Sequence, residues 1–524
     1  MALGAIGQES QQGTITGVIT DFSNAAVADA EITVTNLATG ASRTAKSDQS
    51  GLYTIVGLEP GTYSVRSVAN GFKTAERKGI IIDIGSSVRV SFALQVGEVS
   101  EKVEVKAEAP ILKTETGEVS TLVSGKQLEE LSLNGRNFTQ LLALGPGVVS
   151  RQIGHQMGLG QEGNPLMSVH GGRISMNKYT YDGTLAMDTG GNRGLDLFPA
   201  MEAIGEVRVQ KSNYGADVGG FGYGIVNIET RSGSREYHGA VYEYLRNDIL
   251  DARNTFSAKR ESIRLNNFGY TFGGPFLIPG HYNQHRTKDF FFWSESWARR
   301  VGPQITSFTT PPRGVFTANL PSLAMRSGDF SELLPKQLKN PAGGVYNGNL
   351  IPAGDIDANA LLLINVFYPP PNRPTAPNYV YNTHSFTLFR EEIVRWDHNF
   401  NQKWIWSTRY GQDGWSQRQD IARPGGPGAL PTFPNLIAKP GKNLTSKLTT
   451  ILTPNNVNSF TFGYSYNEIS NVPLGGFRPA GLTIPKAFPS NRYNLVPNIN
   501  VSGYEGIGLG SPLNNSNPVY TTKD

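Results

Sequence analysis

The most constraining feature of the sequence is a pair of adjacent segments in which bulky and polar residues alternate. Between residues 392 and 410, one set of positions is bulky and mostly aromatic: Val394, Trp396, His398, Phe400, Trp404, Trp406, Thr408 and Tyr410. Most positions between them are polar: Arg395, Asp397, Asn399, Ser407 and Arg409. A period of two residues predicts β-strands with one apolar and one polar face. In water the aromatic face would have to pack on a second sheet, whereas in a membrane β-barrel it faces lipid and the polar face lines a wet lumen.

The connections between such strands favour the barrel. Further alternating strands are predicted around residues 268–272, 290–297, 444–452 and 459–467. The connections are about 17, 12, 90, 3, 30 and 5 residues long, so that long and short mostly alternate, as in outer-membrane barrels. Segment 301–390 is rich in Pro and Gly, with one predicted helix over 358–367. We interpret this segment as a large external loop.

A change in composition at residues 214–247 marks where the strand-rich part begins. Five glycines within ten residues precede the short apolar run Ile225–Ile228. The pattern breaks at Thr230–Gly233 and restarts at Tyr237 as a strand. Glycine allows a close backbone approach, so we interpret the segment as the junction between a soluble domain and the barrel wall.

The overall composition limits the fold and the chemistry. A chain of 524 residues exceeds a single core, so several domains are expected. The chain has 60 Gly, 25 Phe and 21 Tyr, which is typical of strands joined by many turns. The net charge of +4 without a basic run gives no sign of a nucleic-acid partner. The lack of cysteine excludes disulfides and thiol chemistry, and no apolar run is long enough for a transmembrane helix.

The motifs of common enzymes are missing from the sequence. There is no Walker A motif, no G-x-S-x-G elbow and no H-E-x-x-H, each of which would supply a phosphate cradle, a nucleophile or metal ligands. Gly158, Gly160 and Gly163 fit G-x-G-x-x-G, but no strand precedes them and Asn164–Pro165 follows, so a dinucleotide site is not expected. We predict a protein without enzymatic activity, cofactor or metal.

Residues 13–97 predict a small β-sandwich, because short alternating strands are separated by regular turns. The stretches GVITD, ITVTN, TG, SDQSG and PGTYSV occur in this order, followed by NGFK. This pattern resembles the carboxypeptidase regulatory-like domain, which has a transthyretin-like, carbohydrate-binding-like fold. The resemblance implies a spacer or binding module and not a peptidase.

Residues 109–235 predict a mixed α/β domain, with one helix capped by Ser124 and a second near residues 138–144. The segments LNGRNFTQLLALGPGV, IGEVRVQKSNYGADVG and GYGIVNIETRSGSREYHGAVYEYLRN resemble the plug and first strand of TonB-dependent outer-membrane receptors, in particular Oar-like members. The resemblance implies a plugged β-barrel in outer-membrane lipid. It also implies an extracellular ligand, of which glycan, peptide and chelate all stay open, and a TonB-type periplasmic partner that supplies energy.

Residues 98–108 form a polar, alternating linker after the sandwich. A tethered, unpaired strand of this kind can add itself to the sheet edge of another protein, and its position resembles the TonB box. The candidate partner-binding residues are Glu101, Lys102, Val103, Glu104, Val105, Lys106 and Ala107. The alternative is that this segment is the last strand of the sandwich.

Three residues of the predicted plug are candidates for contacting ligand: Arg173, Tyr181 and Asp182. They lie in the segments HGGR and YTYDG, which belong to the same resemblance. Each of them also fits a structural role, either in a turn or in packing. The sequence does not decide between the two roles.

Taken together, the sequence predicts a mainly β protein of the bacterial outer membrane. The expected parts are a signal remnant or disordered tail at 1–12, a sandwich at 13–97, a linker at 98–108, a plug at 109–235 and about seven strands of an incomplete barrel at 236–524. Plugged transporter barrels have about 22 strands, so we expect the chain to be an amino-terminal part. The alternative is a secreted or surface carbohydrate-binding, adhesive β-protein.

Overall fold

A computed structural model of the protein describes residues 12–98, 102–104, 117–150, 159–160, 167–187, 194–214, 222–253, 260, 262–303, 315–421, 430–453, 456–484, 494–508 and 521–523. Among these residues, strands greatly outnumber helices. They form three successive regions, which we call the sandwich domain (12–104), the middle domain (117–230) and the long sheet (238–523).

The sandwich domain has nine strands in two sheets. They are β1 (Gly13–Asp21), β2 (Glu31–Asn36), β3 (Ser42–Lys46), β4 (Leu52–Leu58), β5 (Gly61–Val68), β6 (Thr74–Ile82), β7 (Ser87–Arg89), β8 (Phe92–Leu94) and β9 (Lys102–Glu104). One sheet has the order β4-β1-β7, with β8 also paired to β1, and the other has the order β3-β2-β5-β6-β9. Alternate residues of these strands, among them Ile15, Ile32 and Val65, are fully buried between the sheets, as the two-residue period requires.

The middle domain contains a five-stranded mixed sheet, a two-stranded sheet and short helices. Its strands are β10 (Val119–Ser124), β11 (Val148–Ser150), β12 (Met167–Val169), β13 (Lys178–Tyr181), β14 (Thr184–Leu185), β15 (Ile204–Ser212) and β16 (Ile225–Thr230). The main sheet has the order β10-β15-β16-β13-β14, and β11 pairs with β12. Its helices are α1 (Gly125–Glu130) and α2 (Thr139–Leu142). Ser124 caps α1 in a capping box with Gln127, which confirms the predicted cap.

The long sheet contains eight antiparallel strands in sequential order. They are β17 (His238–Asn247), β18 (Arg264–Pro275), β19 (Asp289–Pro303), β22 (His384–Asn399), β23 (Trp404–Gln419), β24 (Asn435–Thr453), β25 (Asn456–Pro473) and β26 (Thr521–Lys523). The sequence predicted about seven strands, and the described residues add one more, because β26 pairs with Glu468–Ser470. Three polar residues give no alternating pattern from which such a strand could be predicted.

The two faces of the long sheet differ as the alternation predicts. The face that contacts the middle domain, which we call the inner face, carries Arg395, Arg409 and Asp413, all of them buried. The opposite, outer face carries Trp396, Trp404, Phe460, Phe462 and Tyr464, all of them exposed. Neighbouring outer rings are in contact, for example Trp396 and Trp406 with 5.5 Å between their centroids.

The connections at one end of the long sheet fold together. The segment between β19 and β22 contains β20 (Val315–Ala318), α3 (Leu323–Arg326), α4 (Ala358–Phe367) and β21 (Tyr379–Asn382). Asp357 caps α4 by accepting a hydrogen bond from Ala360 N at 3.0 Å, which confirms the predicted helix. These elements bury Phe316 and Phe367 with Phe433 and Leu495 of the two later connections. We call this group the loop cluster.

Candidate functional site

The site is built around the β13–β14 hairpin of the middle domain, which points at the inner face of the long sheet. The two turn residues, Asp182 and Gly183, both have positive φ, 46° and 89°, as a tight type I′ turn requires. Thr230 N donates to Asp182 Oδ1 at 2.8 Å, which ties the turn to the end of β16. The turn therefore presents a fixed carboxylate to the wall.

The carboxylate of Asp182 forms an ion pair with Arg409 of β23. Its Nε donates to Asp182 Oδ2, and its Nη2 donates to Asn443 Oδ1 and to Thr445 Oγ1 at 2.9 Å. Its Cζ lies 4.3 Å from the centre of the Tyr181 ring, in the geometry of a cation–π contact. Only 2% of the Arg409 side chain is exposed. A buried guanidinium with this many partners is a well-satisfied charge.

A second arginine, Arg395 of β22, contacts the same edge of the middle domain. Its Nη1 donates to Glu229 Oε1 at 2.9 Å and to Thr230 O at 3.0 Å. The same Nη1 lies 3.6 Å from Asp182 Oδ1, and Nε lies 3.1 Å from Asp397 Oδ2. Two wall arginines thus face two carboxylates of the middle domain, Asp182 and Glu229.

The two carboxylates respond differently to their surroundings. Burial alone would raise the pKa of Asp182, but Arg409 and Arg395 lower it below its ordinary value. Burial raises the pKa of Glu229 to about 8, and the neighbouring Asp182 charge adds to this effect. At neutral pH, Asp182 is therefore the charged partner of the arginines, and Glu229 holds a proton.

A second contact lies along segment 195–200. Phe198 N donates to Asp413 Oδ2 at 3.0 Å, and Gly441 N donates to Asp413 Oδ1 at 2.8 Å. Asn443 Nδ2 donates to Asp196 Oδ2 at 3.2 Å. Burial raises the pKa of Asp196 to about 6. One wall carboxylate thus bridges the middle domain and the next strand of the wall.

Glycines on the inner face make room for these contacts. A Cβ at Gly441 would lie 1.9 Å from Asp196 O, and one at Gly463 would lie 2.8 Å from Thr184 Cβ. Real Cβ atoms do not come this close, so a side chain at either position would displace the middle domain. The inner face of the long sheet therefore fits closely against the middle domain.

The predicted ligand-contacting residues separate into two groups. Tyr181 and Asp182 are buried against the wall, with 0% and 6% exposure, and burial raises the pKa of the Tyr181 hydroxyl well above its ordinary value. Arg173 is exposed and precedes the short turn Ile174–Met176. The alternating pattern places Arg395 and Arg409 on the polar face of their strands, but it does not predict their partners, because Arg409 and Asp182 are 227 residues apart.

The candidate partner-binding segment is described only in part. Lys102–Glu104 forms β9, which pairs in parallel with Thr74–Glu76 at the edge of the sandwich domain. Glu101, Val105, Lys106 and Ala107 lie outside the described residues. For the three described residues, the structure shows the arrangement in which the segment is the last strand of the sandwich.

Within the described part of the chain, no group of three His, Cys, Asp or Glu side chains could hold a metal ion. No helix among the same residues is both long and apolar enough to cross a membrane.

Comparison with known sequences identifies the family. Residues 229–524 match the family described as "Outer membrane beta barrel domain". The chain belongs to this outer-membrane β-barrel family. Residues 14–95 match the "Carboxypeptidase regulatory-like domain", which confirms the predicted sandwich. As a member of this family, the chain is located in the bacterial outer membrane, as predicted from the strand pattern.

Individual relatives agree with this assignment. The chain is 26% identical over 286 residues to the "TonB-dependent transporter Oar" of Myxococcus xanthus, a match that covers 51% of this chain and 26% of that protein. The matched part thus spans about a quarter of that relative's length. The prediction that the chain is not an enzyme is in line with this relative, which is named as a transporter.

Solved outer-membrane structures also align with the chain. The outer membrane transporter YddB from Escherichia coli aligns over 67% of this chain and 39% of its own, with a TM-score of 0.42 and 9% identity. The ferric-catecholate import receptor Fiu from E. coli K12 aligns over 69% of this chain and 50% of its own, with a TM-score of 0.34 and 11% identity.

Proposed function

We propose that the chain is part of a TonB-dependent outer-membrane receptor in which the middle domain is the plug and the long sheet is part of the barrel wall. The observation that carries the proposal is the buried contact of Asp182 with Arg409 and Arg395. This contact seats a folded domain on the polar face of a sheet whose other face is aromatic and exposed. The polar face of such a wall lines a lumen, which in outer-membrane transporters is closed by a plug. The outer-membrane family favours this receptor over the secreted carbohydrate-binding alternative.

The lengths of the connections give the orientation. At one end of the sheet β22 joins β23, and β24 joins β25, through short turns, and at the other end the long connections form the loop cluster. Outer-membrane barrels have short periplasmic turns and long external loops. The loop cluster is therefore the extracellular end in this proposal.

The ligand would be captured at that extracellular end, between the loop cluster and the plug. Leu159 of the middle domain packs there with Phe389 and Trp415 of the inner face. A Cβ at Gly160 would lie 2.8 Å from both of those rings, so the plug segment fits closely. A ligand that enters from outside and disturbs this contact acts on the plug directly.

Energy coupling would use Glu101–Ala107, which pairs by strand addition with a TonB-type periplasmic protein. Lys102–Glu104 is already extended but pairs with the edge of the sandwich domain, whereas strand addition needs an extended segment that is free to pair with a partner. The segment must leave the sandwich edge before it can pair with a partner. Pulling on it would loosen the plug from the two wall arginines.

The test is capture of the detergent-solubilised protein, as part of its full-length receptor, on an immobilised TonB-type periplasmic domain. Replacing Val103 and Val105 with proline removes two backbone donors and should abolish capture, because proline cannot pair in a ladder. Replacing both with isoleucine is the matched control and should leave capture unchanged. Equal capture of the proline and isoleucine variants would rule out coupling through this segment.

A further inference from the structure

The sandwich domain contacts the inner face of the long sheet through a buried polar cluster. Lys447 Nζ lies 3.0 Å from Glu59 Oε2, and Gln12 Nε2 donates to Glu59 Oε1 at 2.7 Å. Gln12 also donates to Thr449 Oγ1 at 2.9 Å and accepts from Ser459 Oγ at 3.2 Å. Burial would raise the pKa of Glu59, but Lys447 and the Gln12 hydrogen bond lower it to about 2. The ion pair is therefore present throughout the physiological pH range.

The sandwich domain also contacts the middle domain. Arg208 Nη1 donates to Ile84 O, and Ile84 N donates to Glu206 Oε1. Arg235 N, in the connection to the long sheet, donates to Ala38 O at 2.9 Å. Three separate surfaces thus hold the sandwich domain in one position.

These contacts border a partly open cavity of about 520 Å³ between the three parts of the chain. Its lining includes Arg43 and Tyr63 of the sandwich domain, Glu229 of the middle domain, and Asp397 and Ile405 of the wall. The turn Asn401–Gln402 between β22 and β23 also lines it. The cavity therefore lies at the end of the sheet with the short turns, against the wall arginine Arg395 that holds the plug.

We propose that the sandwich domain is a lid over the periplasmic end of the lumen, held shut by the Glu59–Lys447 ion pair. The assignment of this end as periplasmic rests on the proposed function. A solute that passes the middle domain at Glu229 enters a chamber whose far side is the sandwich domain. Release into the periplasm then requires the lid to lift, which is a step separate from movement of the plug.

The test measures access to the chamber with a cysteine reporter. Because the chain has no cysteine, no other side chain in it reacts with the maleimide. Ile405→Cys is placed in the otherwise unchanged protein, and its reaction with a bulky polyethylene glycol maleimide is timed in detergent solution. Glu59→Gln should accelerate labelling about fivefold or more, since loss of a partly buried ion pair favours the open lid. Glu31→Gln, which changes an exposed carboxylate on the same domain, should leave the rate unchanged.

A second variant separates opening from misfolding. The reversed pair, Glu59→Lys with Lys447→Glu, should bring labelling back towards the original rate, because it restores the attraction with opposite sign. Equal labelling of the Glu59→Gln and Glu31→Gln proteins would overturn the lid, as would fast labelling of the reporter in the otherwise unchanged protein. The measurement needs no ligand and no energy-coupling partner. Its failure would therefore leave the receptor assignment in place, and failure of partner capture would leave the lid in place.

Discussion

The guanidinium of Arg409 lies 4.3 Å from the centre of the Tyr181 ring and donates to the neighbouring carboxylate. The two residues come from different parts of the chain, one from the wall and one from the middle domain. Both are almost completely buried. A buried charge must be paired where it lies, so this contact fixes the position of the middle domain more firmly than apolar packing alone could.

Loss of Arg409 should release the hairpin from the wall. In Arg409→Met, Asp182 keeps only Arg395 at 3.6 Å as a cationic partner, and breaking a buried pair typically costs about 3–5 kcal/mol. We expect local opening of residues 178–185 to become easier by about 3 kcal/mol, measured by hydrogen exchange. The control is Arg418→Met, an exposed arginine on the same strand. Equal exchange in the two variants would contradict the role of Arg409.

The pH dependence of the unfolding free energy should show the titration of Glu229. Its pKa rises from 4.5 to about 8 on folding, so between these values the folded state holds a proton that the unfolded state has released. Stability therefore falls as pH rises through this window. Asp182, whose pKa is lowered, acts in the opposite direction but only at more acidic pH.

Urea unfolding of the protein in detergent measures this effect. From pH 5 to pH 8 we expect a loss of unfolding free energy on the order of 1 kcal/mol or more. Glu229→Gln should make this slope shallower because glutamine does not titrate, while Asp196, whose pKa is also raised, still contributes. If the original protein and Glu229→Gln lose the same unfolding free energy between pH 5 and pH 8, titration of Glu229 does not contribute to the pH dependence.

Gly441 on β24 should not tolerate a side chain without loss of stability. In Gly441→Ala, the new methyl would overlap Asp196 O, and overpacking of this kind costs about 1–3 kcal/mol. Segment 195–200 should then exchange its amide hydrogens faster. Gly414→Ala on β23 is the matched control, because nothing lies within 4 Å of its added Cβ. Unchanged exchange in Gly441→Ala would show that the segment does not fill this space.

The local features of the molecule could be predicted from the sequence. Inward Arg395 and outward Trp396 follow from a two-residue period, which is set by strand geometry alone. The cap at Ser124 and the helix after Asp357 are equally local. Each of these depends on residues only a few positions apart.

The partners across the interface could not be predicted in this way. Asp182 meets Arg409 only because a hairpin turn and the register of β23 bring residues 227 positions apart together. The predicted irregular segment 301–390 has a core with Phe316 and Phe367, because two later connections cover it. β26 was missed because its three polar residues acquire strand structure only from pairing with β25.

The proposed receptor requires above all that the middle domain is seated inside the wall. Thr184→Cys with Gly463→Cys tests this directly, because the two Cβ atoms would lie 2.8 Å apart and need only a small shift to reach disulfide geometry. We expect rapid oxidative crosslinking in isolated outer membranes, seen as a reducible shift in gel mobility. Thr184→Cys with Gly414→Cys, in which the second cysteine has no close neighbour, should not crosslink. No crosslink in the first pair, or equal crosslinking in both, would contradict this placement of the middle domain.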